Sequence, residues 1–194
     1  MANKQRPRRS ILFAFFAAEE KGLLGSTYFV DHPPVPLENL ILEIQLDMVG
    51  REEEGSRPGA TARGDGGGGT AGADKAGTGS EGRTSALGGD AIQTVGTLRH
   101  SDELDPWVRA IVQRIGVKLD HGDENFYPMS DQYCFGNRDI PVVFFFCGMH
   151  SDYHKPTDTV DKIDFAKLAA VTRISFALAF EVADRERRLV RNRV

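Results

Sequence analysis

The chain has 194 residues, 40% of them apolar, enough to bury one ordinary core, so a single domain is the default. A formal net charge of −4 with no long block of one sign argues against a nucleic-acid surface or an acidic tail. Cys134 and Cys147 are too few for a disulfide framework and match no zinc-ribbon spacing, and no apolar run approaches the ~20 residues that span a bilayer.

The basic start "MANKQRPRR" followed by "ILFAFFAA" imitates a secretory signal, but the apolar part is short and Phe16 stands where a small residue is wanted. Ser10 to Ala18 is a near-continuous apolar run, which reads as a strand covered on both faces in a largely parallel sheet. Two adjacent carboxylates, Glu19 and Glu20, follow it directly. Lys21 to Val30 reads as a short helix stopped by "DHPPVP", and Leu40 to Val49 as a second strand ending at Gly50.

From Arg51 to Asp90 the composition changes: 13 of the 21 glycines lie here and Leu87 is the only large apolar residue. Such a segment cannot offset its ordering entropy by burial, so it reads as a disordered insertion within the domain. Its "GDGGGG" lacks the Gly-Lys-Ser/Thr ending of a phosphate loop. "AIQTVGT" reads as a short strand. Asp102 to Ile115 reads as a helix capped by Ser101 or Asp102, and Pro141 to Cys147 as another apolar strand. The last 30 or so residues carry apolar side chains at helical spacing, with Asp164 as cap, and predict a long helix packed on the sheet; the basic clusters at both chain ends read as solvated.

Strand ends thus carry Glu19 and Glu20, Asp47, and the stretch "GMHSDYHKPTDT". In open α/β sheets the ligand crevice lies at the carboxyl ends of the strands, so these segments are candidates for one site. Taken singly, a Glu pair at a helix start is favoured by the helix dipole and Asp47 suits a turn. His150 and His154 have the i, i+4 spacing of a helical zinc motif, but Gly148 and Pro156 make this a loop and no Glu follows His150, so one ligand histidine is expected rather than two.

Together, "RSILFAFFAAEEKGLLGSTYFV", "LDMVGR" and "SDQYCFGNRDIPVVFFFCGMHSDYHKPTDTVDKIDF" closely resemble the co-catalytic di-zinc aminopeptidases of metallopeptidase family M28. The resemblance runs from about Arg9 to Ala183, outside the glycine-rich insertion. It implies a three-layer α/β sandwich with a mostly parallel central sheet flanked by helices. It further implies that Glu19 is the general base, that Glu20, Asp47 and His154 are zinc ligands, and that Tyr153 stabilises an oxyanion. Asp158 would orient the His154 loop. The general chemistry suits the pair: one carboxylate neutralises a cation while its neighbour stays free to take a proton.

The chain departs from the family chiefly in its missing N-terminal strands and ligands. Members place an H-x-D segment and a bridging Asp before the Glu pair, on strands missing here; 18 residues precede Glu19, none of them His or Asp. Three of five expected ligands remain, divided between two zincs, whereas a catalytic zinc has about three protein ligands. His32, His100 and His121 lie in loop-like contexts and are not expected to substitute. Gln45 stands where the family commonly has Asn. The resemblance therefore implies a truncated zinc exopeptidase acting on peptides, exported in its full-length form. The alternatives are a non-catalytic remnant or interaction module of the same fold and a single-zinc acyltransferase of the glutaminyl cyclase type. Lost strands would leave a sheet edge open to association.

Overall fold

The computed structural model describes residues 6–52 and 91–192. Its centre is a four-stranded sheet of order β1-β4-β2-β3, with β1 at Glu43–Leu46, β2 at Ala91–Val95, β3 at Lys118–His121 and β4 at Val142–Phe146. β1 runs parallel to β4 and β3 parallel to β2, while β2 and β4 are antiparallel. Among the described residues four α-helices accompany it: α1 (Leu24–Asp31), α2 (Leu104–Ile115), α3 (Gln132–Gly136) and α4 (Phe165–Asp184).

The β4 sequence explains the layering. Every residue of "VVFFF" is buried, and successive side chains leave a strand on opposite faces. Val143 and Phe145 pack with Val108 and Ile111 of α2 and Ile174 and Leu178 of α4. Val142, Phe144 and Phe146 pack on the other face with Val30 of α1, Phe135 of α3 and Tyr127. A strand apolar on both faces thus has helices on both, which is the expected three-layer arrangement. The long helix is α4, and its cap is Asp164, whose side chain accepts from Lys167 N at 2.9 Å. Among the described residues no helix is long and apolar enough to cross a membrane.

The first expected strand is not formed. Residues 10–16 carry no regular structure, and Phe13 and Phe15 are 81% and 95% exposed. An apolar run becomes a central strand only with a strand beside it and cover on both faces. β1 is the outermost strand on that side of the described sheet, and nothing there pairs with the run. Only its end is anchored: Phe16 packs edge-on to Phe29 with ring centroids 5.5 Å apart.

Other boundaries shift. The expected helix from Lys21 starts at Leu24, because Glu19–Lys21 form a separate 3-10 turn closed by left-handed Gly22. The strand read over Leu40 to Val49 shortens to Glu43–Leu46. Helix α2 begins at Leu104 after Glu103 rather than at Asp102, although Ser101 Oγ accepts from Glu103 N at 3.4 Å. β3 and α3 were not expected from the sequence. Of the expected insertion, residues 53–90 lie outside the described residues.

Candidate active site

The turn carrying the glutamate pair is held from behind. Ala18 and Leu23 both take left-handed backbone (φ 57° and 56°), so the chain reverses on either side of Glu19–Lys21. Gly25 N donates to Ala17 O at 3.0 Å, and a Cβ on Gly25 would lie 2.6 Å from that same oxygen. Only glycine lets α1 approach so closely, so the "GLLGS" after the pair serves to seat the turn.

On this seat Glu20 Oε1 lies 2.6 Å from His154 Nε2, joining residues 134 apart in sequence. The His154 ring stacks on Tyr153 at 3.8 Å, and His154 itself has left-handed backbone, φ 56°. Glu19 is adjacent. Burial raises the pKa of its carboxyl above the usual range, with the charges of Glu20, Asp47 and Asp131 adding to the rise and His154 opposing it. Burial likewise raises the Tyr153 phenol, followed by Glu20, Glu19 and Asp47. Mutual influence of this kind requires proximity, so Glu19, Glu20, Asp47, Tyr153 and His154 form one neighbourhood.

Asp47 follows β1 and is engaged differently. Ser130 Oγ donates to Asp47 Oδ2 at 2.9 Å, and Gln45 Nε2 donates to Ser130 Oγ at 3.0 Å. Gln45 therefore serves to hold the hydroxyl that holds Asp47. Next to Ser130, Asp131 is 5% exposed and its Oδ1 has no hydrogen-bond partner. Burial raises its pKa, a hydrogen bond from Ser26 lowers it, and Asp47 raises it. Sequence reasoning missed Ser130 and Asp131. "SDQ" before a short helix reads as a cap, yet Asp131 makes no side-chain cap bond, and its burial is visible only in three dimensions.

The remaining histidines lie elsewhere. His150 is buried, with Nε2 3.9 Å from Asp158 Oδ2 rather than beside Glu20. His100 bonds the Tyr127 hydroxyl at 2.9 Å, and His32 stacks on Tyr28 at 4.4 Å. His121 ends β3 rather than lying in a loop, 2.6 Å from Asp105 Oδ1. Asp158 pairs with Arg51.

A model of peptidase family M28 matches residues 1–67 and 77–179. The chain belongs to peptidase family M28. No curated protein matches it. Among solved structures, it is similar to the LapA aminopeptidase of Legionella pneumophila at 20% identity and TM-score 0.67, covering 96% of this chain and 42% of that one. It is also similar to an aminopeptidase from Aneurinibacillus sp. strain AM-1, at 22% identity and TM-score 0.58, covering 92% and 34% respectively. BSAP, a zinc aminopeptidase from Bacillus subtilis, gives 20% identity and TM-score 0.58, covering 89% and 36%. The fold of this M28 chain is thus that of part of these structures, at about two-fifths of their length or less.

The family and its zinc-dependent relative point to zinc, and the donors can be tested for fit. Carboxylate and imidazole are suitable zinc donors, and Glu20 and His154 already converge. They are only two, and Asp47 is separately held by Ser130. Among the described residues no group of three or more His, Cys, Asp or Glu is arranged to hold a metal ion. The described part of the M28 chain does not by itself complete a zinc site.

Proposed function

We propose that this chain is the part of a zinc-dependent aminopeptidase that carries the general base and a share of the metal ligands. The observation that supports this most is the meeting of Glu20 and His154 beside Glu19, across 134 residues of sequence. In the complete protein, Glu20 and His154 would hold one of two zincs and Asp47 the other, with the remaining ligands coming from outside the described residues. Residues 1–194 act as one partial peptidase domain.

The chain's own residues have definable tasks. Glu19 has a carboxyl held above its ordinary pKa, chiefly by burial, and takes a proton from the attacking water. The water oxygen bonds to the scissile carbonyl carbon. Tyr153, kept protonated by burial and by three neighbouring carboxylates, donates its hydroxyl to the oxygen that becomes negative. Glu19 returns the proton to the leaving nitrogen as the C–N bond breaks. Water is consumed, and a free amino acid and a shortened peptide result.

A second reading, a non-catalytic remnant of the fold, is favoured by the incomplete donor set. Hydrolysis of amino-acid anilides by the full-length protein, with zinc added, separates the two. Anilides with a free α-amino group are cleaved and their N-acetylated forms are not. Equal cleavage of both contradicts an aminopeptidase, and cleavage of neither favours the remnant.

A further inference from the structure

The loop carrying Tyr153 and His154 has little regular structure to hold it. Between Gly148 and Asp164 it is a chain of turns, with Tyr153 N bonded to His150 O at 3.0 Å, Lys155 N to Asp152 O at 2.9 Å and Asp158 N to Lys155 O at 3.0 Å. These bonds shape the loop but do not fix where it sits. Besides the Glu20–His154 contact and the Asp164 N to Gly50 O bond at its end, its side chains are tied to the segment after β1 by Arg51. One arm of that guanidinium bonds Asp152 Oδ2 at 2.8 Å, and the other bonds Asp158 Oδ1. Lys162 Nζ takes the second Asp152 oxygen at 2.8 Å. Asp158 turns its other oxygen towards buried His150, at 3.9 Å.

This arrangement differs from an ordinary surface pair. Arg51 and Asp152 have side chains only 16% and 15% exposed, Asp158 is 41% exposed, and one planar fork spans the two carboxylates on either side of His154. Such geometry is directional and resists screening better than a solvated ion pair. Arg51 is itself fixed from the other side. It follows β1 by a short segment in which Asp164 N donates to Gly50 O at 2.9 Å, and a Cβ on Gly50 would lie 3.3 Å from Ile163 Cγ2. The strand end bearing Asp47 and the loop bearing His154 are therefore joined by a backbone bond at the loop's end and, on either side of His154, by the Arg51 side chain.

We propose that Arg51 is a positioning residue which, through Asp152 and Asp158, sets His154 against Glu20. This deepens the peptidase reading and rests on it only for the consequence to catalysis. The geometric claim is tested without substrate or zinc.

The test reads the Glu20–His154 pair directly. The imidazole nitrogen signals of His154 are recorded by nuclear magnetic resonance with and without Glu20→Gln, in the wild-type chain and in Arg51→Met. In the wild-type background Glu20→Gln shifts the His154 signals. In Arg51→Met that response is lost, because the loop no longer holds the ring at the carboxylate. A residue that only adds stability would lower the melting temperature and leave the response to Glu20→Gln intact, and that result overturns the proposal. Should Arg51→Met not fold, Asp158→Asn removes one arm and carries the same comparison. Retention of the full response there overturns the proposal equally. Anilide hydrolysis by the full-length protein tests the peptidase reading separately, so loss of one does not entail loss of the other.

Discussion

Replacing Glu19 by glutamine lowers anilide turnover by the full-length protein about 10²–10⁴-fold, the range expected when a general base is removed. The substitution is nearly isosteric and keeps the 3-10 turn Glu19–Lys21, whose seat depends on Gly25 and on backbone bonds rather than on the Glu19 side chain. It leaves the Glu20–His154 pair in place. Turnover should therefore fall with little change in substrate KM and none in zinc content, measured in parallel by kinetics and elemental analysis. A comparable fall for Glu20→Gln should come with lost zinc, which separates the proton-handling carboxylate from the ligating one. Near-normal turnover in Glu19→Gln would remove the base from the proposed mechanism.

Glu43→Gln should stabilise the fold, and increasingly so as pH rises. Glu43 opens β1 and is half-buried as a whole, but its Oε2 is buried without a hydrogen-bond partner. Burial first, and then the charge of Asp131, push its pKa from 4.5 up to about 8. The folded state thus keeps a proton that the unfolded chain releases. The associated stability is fully present below about pH 4.5 and is lost as pH rises through 8. At pH 7 the loss is about 3 kcal/mol, a large part of a small domain's total. Glutamine has no proton to lose. Denaturant midpoints for wild type and Glu43→Gln should lie close together at pH 4.5 and diverge towards pH 8, with the variant the more stable. Parallel curves across that range would mean that the carboxyl is solvated in solution.

What the sequence makes legible follows from what each signal requires. "PVVFFFC" is apolar at every position, and the only structure that satisfies it is a strand with cover on both faces, which β4 has. The same reasoning fails for Ser10 to Ala18, because apolarity states what a segment needs and not whether its neighbours are there. With β1 outermost in the described sheet, Phe13 and Phe15 remain exposed. β3 is hidden for the opposite reason: "KLDH" is a polar edge strand whose identity comes from backbone pairing with β2, on which its side chains say little.

The candidate site divides in the same way. The Glu pair, Asp47 and His154 are visible because the family resemblance marks residue types at fixed spacings. Asp131 and Arg51 are not, since a Ser-Asp before a short helix and an arginine after a strand have ordinary local explanations. Their importance lies in burial and in contacts spanning more than 100 residues, such as Arg51 to Asp152 and Arg51 to Asp158.

The measurement that tests the account most directly is zinc binding to this chain and to its Glu20→Ala variant, by titration and by zinc retained after dialysis. In the proposed function, Glu20 and His154 supply one part of a zinc site whose other ligands lie outside the described residues. The account therefore predicts weak binding in titration, weakened further by Glu20→Ala, and little zinc retained on dialysis. Two zincs per chain held through dialysis, or binding indifferent to Glu20→Ala, would contradict it.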